Sequence, residues 1–237
     1  MKKLFIVFGS ILFVSALTFT SCKKDKKDDG GSNVSVISAN GNIIGDDTSE
    51  VDNVAALTLS DYDGNGYEAG TSNFKNESFK INLSATVPDK YLSFFDEDDF
   101  DGDVKVNPKD AKGCSLGIIA YDSDGDEIGE FQQEDEKEYS WYYAEYIYAN
   151  KDFTIKGTEK DEDYSYTYDC SFKKGWNIVY SYYKWDDYSE EGKVTTKKPS
   201  NMNLKWYYYS EYDWKSNSNH AKKSLFANKL KYKEIID

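Results

Sequence analysis

The stretch Phe79-Lys80-Ile81-Asn82-Leu83-Ser84-Ala85-Thr86-Val87 alternates apolar and polar residues without a fault. Successive side chains of a β-strand point to opposite faces, so the pattern predicts Phe79, Ile81, Leu83, Ala85 and Val87 on a buried face and their neighbours in solvent. Pro88 ends the run, since proline has no N–H to give to a ladder. A strand with one polar side does not suit a parallel sheet covered by helices on both faces.

The same grammar continues on either side. Toward the N-terminus, Val54-Ala55-Ala56-Leu57-Thr58-Leu59 is a short apolar run before the turn-rich Asp61-Tyr62-Asp63-Gly64-Asn65-Gly66. Toward the C-terminus, the acidic stretch 95–103 reads as a loop. Residues 114–121 and 127–132 then read as a hairpin, with Asp124-Gly125 supplying the positive φ angles of the turn. Segments 141–148 and 152–157 form another expected pair. Tyr164, Tyr166, Tyr168, Cys170 and Phe172 alternate with polar residues, Lys173-Lys174-Gly175 makes a turn, and 176–183 returns. Short runs at 194–196 and 204–209 come last. Many short strands with regular turn signals predict an all-β fold, an antiparallel β-sandwich of immunoglobulin-like or related type, with a barrel as the alternative. In the tail from about residue 219, Leu225, Phe226 and Leu230 fit one helical face, while 230–235 fits a strand equally well.

The first thirty residues have a different character. Lys2 and Lys3 precede the apolar Leu4-Phe5-Ile6-Val7-Phe8 and Ile11-Leu12-Phe13-Val14, a run shorter than the roughly 20 residues a spanning helix needs. Phe19-Thr20-Ser21-Cys22 follows, then the charged Lys23-Lys24-Asp25-Lys26-Lys27-Asp28-Asp29. This segment resembles the lipobox of bacterial lipoproteins, and the charges after the cysteine resemble the export signals of Bacteroidetes lipoproteins. The resemblance implies cleavage before Cys22, lipid on Cys22, and an outer-membrane protein displayed on the cell surface, with a periplasm-facing orientation as the alternative. The expected organisation is a signal peptide over 1–21, a lipidated and flexible charged tether over 22–48, and one β domain over 49–237. Around Ile119-Ala120-Tyr121-Asp122, Lys173-Lys174-Gly175-Trp176-Asn177 and Lys205-Trp206-Tyr207 the chain is also similar to surface lipoproteins of gut Bacteroidetes, which implies nothing about mechanism.

Loss of Lys2 and Lys3 with the leader moves the formal charge from −14 to −16. A polyanion needs clustered cations to release its counterions, so nucleic acid is not an expected partner. With 21 tyrosines, 13 phenylalanines and five tryptophans, rings must supply much of the core. Each buried ring removes about 150–250 Å² from water. Export permits a disulfide between Cys114 and Cys170, and two separate buried thiols fit the sequence as well.

Candidate sites are few. Asp61, Asp63 and Asn65 match the start of an EF-hand loop, but its twelfth position is Ser72 where a bidentate glutamate is required. Asp61, Asp63, Asn65 and Glu68 are the candidate calcium ligands, and no other cofactor is expected. Asp122, Asp124 and Asp126 are better explained by the hairpin turn. The only histidine, His220, lies in a polar stretch without a nucleophile elbow, and no carboxylate pair stands out for glycoside hydrolysis, so no enzyme is expected. His220 and Met202 are the only obvious neutral candidates for a haem ligand.

Aromatic density is the stronger signal. In Trp141-Tyr142-Tyr143, Tyr182-Tyr183-Lys184-Trp185 and Trp206-Tyr207-Tyr208-Tyr209 a strand places rings on both faces, and only one is expected to be core. Trp141, Tyr143, Trp185, Trp206, Tyr208 and Trp214 are therefore the candidate ligand-binding residues. The expected function is a monomeric, non-catalytic adhesion or binding module that meets extracellular glycan. The alternative is a structural surface lipoprotein that contacts a protein partner and no small ligand.

Acyl chains add about 0.8 kcal/mol of membrane affinity per buried CH₂. Cys22→Ser is therefore expected to move the protein from the membrane fraction to the soluble fraction and to abolish radiolabelled palmitate incorporation; unchanged partitioning would remove the anchor.

Overall fold

The computed structural model describes residues 33–58, 66–100, 102–162, 164–186 and 189–210. The leader, Cys22, Asp61, Asp63, Asn65, Trp214, His220 and the tail from 219 lie outside the described residues. Strands β1 (Val36–Asn40), β2 (Ile44–Gly45), β3 (Asn53–Thr58), β4 (Glu68–Asn73) and β5 (Ser78–Asn82) come first. Two single-turn 3-10 helices, Asp89–Tyr91 and Glu97–Asp99, flank β6 (Ser93–Phe94) and precede β7 (Lys105–Asn107). The long strands follow: β8 (Lys112–Tyr121), β9 (Glu127–Lys137), β10 (Ser140–Ala149), β11 (Phe153–Lys160), β12 (Tyr164–Phe172) and β13 (Gly175–Trp185). β14 (Glu190–Thr195) and β15 (Lys205–Ser210) end the described chain. No described helix is long and apolar enough to cross a membrane.

The protein is all-β and sandwich-like, with two sheets and no closed barrel among the described residues. β1 and β5 pair alone, while the large sheet runs β2-β15-β9-β8-β10-β13-β14-β12-β11-β7, with β3, β4 and β6 branching at β8. β10 fixes this order. Its residues 140–149 pair with β13 along one edge, and on the other edge 140–144 pair with β9 and 146–149 with β8. Both edges being occupied, the expected pairing of 141–148 with 152–157 does not form, and β11 pairs with β12 and β7 instead.

Two cores lie on opposite faces of β10. Tyr146 and Tyr148 point into the first, with Phe79, Ile81, Leu116, Ile118, Phe131, Trp176, Trp206 and Tyr208. Ile147 and Ala149 point into the second, where Phe153 stacks on Phe172 at 4.3 Å and on Phe95 at 4.8 Å, and Phe100 meets Tyr168 edge-on. Fully burying one such apolar side chain contributes about 1.5–3 kcal/mol, so a strand buried on both faces is held from both sides. In the first core the polar ring atoms find carbonyls: Trp206 Nε1 donates to Ser38 O at 3.0 Å, Trp176 Nε1 to Ser84 O at 2.8 Å and Tyr208 Oη to Ile128 O at 3.0 Å. Over the second core, Glu97 accepts from the Val106 N–H at 3.1 Å and from Lys109 Nζ at 2.8 Å, which ties down the covering segment. That Lys109 contact holds the Glu97 carboxyl below its usual range.

Several expectations change in detail. Ile37 and Ala39 of β1 are buried beside β5, and β2 pairs with β15, so residues 33–48 belong to the fold rather than to a tether. Phe79, Ile81, Leu83 and Val87 are buried as the alternation requires, but β5 stops at Asn82 and Ala85 is exposed. There the chain leaves β1, with the Leu83 N–H donating to Ser35 O and the Ser84 N–H to Ala69 O, and the register is lost. The sheet is not wholly antiparallel: β12–β14 and β2–β15 are parallel. β14 wedges between the arms of the expected 164–183 hairpin, antiparallel to β13. The Asn177 side chain closes the hairpin's link, accepting from the Lys173 N–H and donating to Lys173 O and Gly175 O.

Cys114 belongs to the first core and Cys170 to the second, and both are free thiols, so the bridge allowed by the sequence is not formed. Burial pushes the Cys114 thiol up to about 12 and raises Cys170 as well. The thiolate is the reactive form. In Cys22→Ser protein at pH 8, Ellman's reagent is expected to label neither thiol while the chain is folded and both in denaturant without reductant; no labelling in denaturant would mean a disulfide.

Candidate functional site

Strands β9 to β14 share a face opposite the first core, and its composition changes along their length. At one end lie Ile147, Ala149, Phe153, Ile155, Cys170 and Phe172 of the second core. At the other end the same face carries rings and carboxylates. Directly opposed positions form rows across the strands. Trp185 of β13 faces Glu190 of β14, which faces Tyr164 of β12. One step inward, Glu136, Trp141, Tyr183, Gly192, Tyr166 and Glu159 oppose one another in turn.

These rings touch. Trp141 stacks on Tyr143 at 4.3 Å, Tyr143 lies parallel to Tyr183 at 5.7 Å, and Tyr166 meets Tyr183 edge-on at 5.7 Å while stacking on Tyr164 at 5.0 Å. Trp141, Tyr143 and Tyr183 are buried, and Tyr166 and Trp185 pack against them half-buried. Glycine is required at 192 by close approach: a Cβ there would sit 2.2 Å from Tyr166 Cδ1. The Tyr166 ring thus crosses β14 and closes the gap between Tyr183 and Tyr164.

Beneath the rings the polar groups pair mostly with neutral donors. Glu134, 1% exposed, accepts from Trp141 Nε1 at 2.8 Å and from Tyr209 Oη at 3.2 Å. Glu159 accepts from Tyr168 Oη at 2.8 Å, and the Tyr143 and Tyr183 hydroxyls share a hydrogen at 3.1 Å. The Ser181 hydroxyl is buried on the same face without a hydrogen-bond partner. Burial first and carboxylates second raise the phenols: Glu190 beside Tyr166, Glu159 beside Tyr168 and Glu134 beside Tyr209. Tyr183 is raised well above its ordinary value by burial and by Tyr143. The Tyr168 and Tyr209 phenols stay protonated and donate to Glu159 and Glu134.

The structure brings Trp141, Tyr143 and Trp185 together and leaves only Trp185 partly open to solvent. Trp206 and Tyr208 are buried on the opposite face in the first core, so neither offers a ring to a ligand. Glu68 is exposed at the start of β4, and the described residues hold no group of three metal-ligating side chains. Asp122 Oδ1 accepts from the Asp124 and Asp126 N–H groups, both at 2.9 Å, as a hairpin turn requires. Met202 is buried.

Tyr164, Tyr166 and Glu190 are additions to the site. The tyrosines were visible as an alternating run, whereas Ser189-Glu190-Glu191-Gly192 has no apolar pattern and becomes legible only through its pairing with β12 and β13. No protein-family model, curated protein or solved structure matches the chain. The chemistry of this face is therefore the basis for its functional reading.

Overpacking typically costs about 1–3 kcal/mol. Gly192→Ala is expected to lie in that range by urea denaturation and to increase Tyr166 solvent exposure, since the half-exposed ring can swing away; unchanged stability would place the Tyr166 ring elsewhere.

Proposed function

We propose that this protein is a lipid-anchored, non-catalytic binding module on the outer face of the outer membrane, which contacts glycan through the row Trp185, Glu190 and Tyr164. One observation carries the reading: a half-exposed carboxylate sits in register between two half-exposed rings. Two strand spacings put those rings about 10 Å apart, a span suited to a short run of sugar units. A pyranose presents an apolar C–H face that packs on a ring, and its hydroxyls donate to a carboxylate between the rings. The buried Trp141, Tyr143 and Tyr183 behind the row hold Trp185 and Tyr166 in place, so little side-chain entropy remains to be lost on binding.

The lipobox-like sequence around Cys22 supports the location and bears on the function. A module tethered by lipid meets polymers at the cell surface rather than metabolites in the cytosol. Contact with a protein partner is the competing outcome, and the same experiment separates the two.

A glycan array probed with soluble Cys22→Ser protein is expected to give hits. Truncating a central aromatic anchor costs upward of about 1.4 kcal/mol, so Trp185→Ala and Tyr164→Ala should each weaken the best hit about tenfold or more. No glycan bound by folded protein, or full binding retained by both variants, overturns the reading.

A further inference from the structure

We infer that the glycan recognised at the Trp185, Glu190 and Tyr164 row carries a free amino group, as in a 2-amino-2-deoxy sugar, with the ammonium seated against Glu190 between the two rings. This rests on the glycan reading above and names its ligand class.

Lysine is sorted between the two faces of strands β9 to β14, although Asp135, Asp169 and Glu191 share the lysine-bearing face and Lys205 of β15 lies opposite Glu134 on the other. On the face that bears the site, strands β9 to β14 place Glu130, Glu134, Glu136, Glu145, Glu159 and Glu190, and no lysine, among the described residues. Their lysines, Lys137, Lys156, Lys160, Lys184 and Lys193, occupy the alternate register positions and belong to the opposite face. Lys156 there pairs with Asp169 at 2.8 Å, and Lys137 lies over the Tyr142 ring at 4.6 Å. The sorting makes one face a concentrated source of negative potential within a chain already at −14.

The rings act in the same sense. The centre of an aromatic face is negative, so a cation close to both rings is attracted by each and by the carboxylate between them. Glu190 lies beside the Tyr166 phenol and in register between Trp185 and Tyr164. A carboxylate has about four lone-pair sites, and one hydroxyl donor leaves capacity for an ammonium. A neutral hydroxyl could take the same hydrogen bond but would forgo the Coulombic and cation–π contributions. Acidic sugars meet the opposite situation. The chain contains no arginine, so the fork that binds carboxylate or sulfate through two parallel hydrogen bonds is missing, and this face would repel them.

The test is calorimetric titration of soluble Cys22→Ser protein with glucosamine oligomers, N-acetylglucosamine oligomers of equal length and galacturonate oligomers, at a mildly acidic pH that keeps the amine charged. The glucosamine oligomer should bind about tenfold tighter than the acetylated one and lose affinity with added salt, while galacturonate should not bind. Glu190→Gln, which preserves shape and a hydrogen-bonding oxygen, should abolish the tenfold preference without weakening the acetylated oligomer, and thermal melting should show the variant folded. Equal affinity for the two oligomers, with both lost in Trp185→Ala, overturns the amine and leaves the glycan reading standing. A preference unchanged in Glu190→Gln and Trp185→Ala means diffuse attraction to an acidic protein and overturns it too. Binding to no oligomer here and no glycan on the array removes both.

Discussion

Both faces of β10 are buried and both of its edges are hydrogen-bonded, and this double occupation sets the positions of most other elements. Tyr146 and Tyr148 close the first core while Ile147 and Ala149, alternating with them, close the second. A one-residue slip of the strand would exchange the two sets, putting tyrosine hydroxyls where the second core admits isoleucine and alanine. The register with β13 is held along its full length for the same reason. Through that register Trp141 and Tyr143 come to face Tyr183 and Ser181, so the packing that stabilises the fold also assembles the ring cluster.

The shared face of β9 to β14 changes from apolar to acidic along its length. Its apolar end excludes water around Phe153, Phe172 and Ile155. Its acidic end keeps Glu134 and Glu159 buried against tyrosine and tryptophan donors, an arrangement costly in desolvation unless each oxygen is hydrogen-bonded. Large rings with polar edges lower that cost: they fill volume while their hydroxyl and N–H groups reach one oxygen of each carboxylate. A tyrosine-rich chain with few aliphatic residues can therefore build a polar layer between an apolar core and a solvent-facing rim.

Local pattern carried much of the architecture. The alternation of Phe79, Ile81 and Leu83 and the turn at Gly125, which takes the expected positive φ while Asp124 does not, were legible because their causes lie within a few residues. The assumption that only one face of a ring-rich strand can be core failed at β10, where both are, because burial of the second face comes from β11, β12 and the 95–111 segment far along the chain. The insertion of β14 between β12 and β13 was hidden for the same reason. Of the nominated rings among the described residues, Trp185 alone combined a place in the cluster with partial exposure, whereas Trp206 and Tyr208 were drawn into the first core by β9 and β1. Glu190 had no signal of its own, since a Glu-Glu pair near a glycine reads as a turn until its neighbours in space are known.

If β10 is the common wall of the two cores, neither core can unfold and leave the other intact. Differential scanning calorimetry of soluble Cys22→Ser protein tests this directly. The structure requires one transition whose calorimetric and van't Hoff enthalpies agree. Two resolved transitions, or a van't Hoff enthalpy well below the calorimetric one, would mean that the cores melt separately and that β10 does not join them.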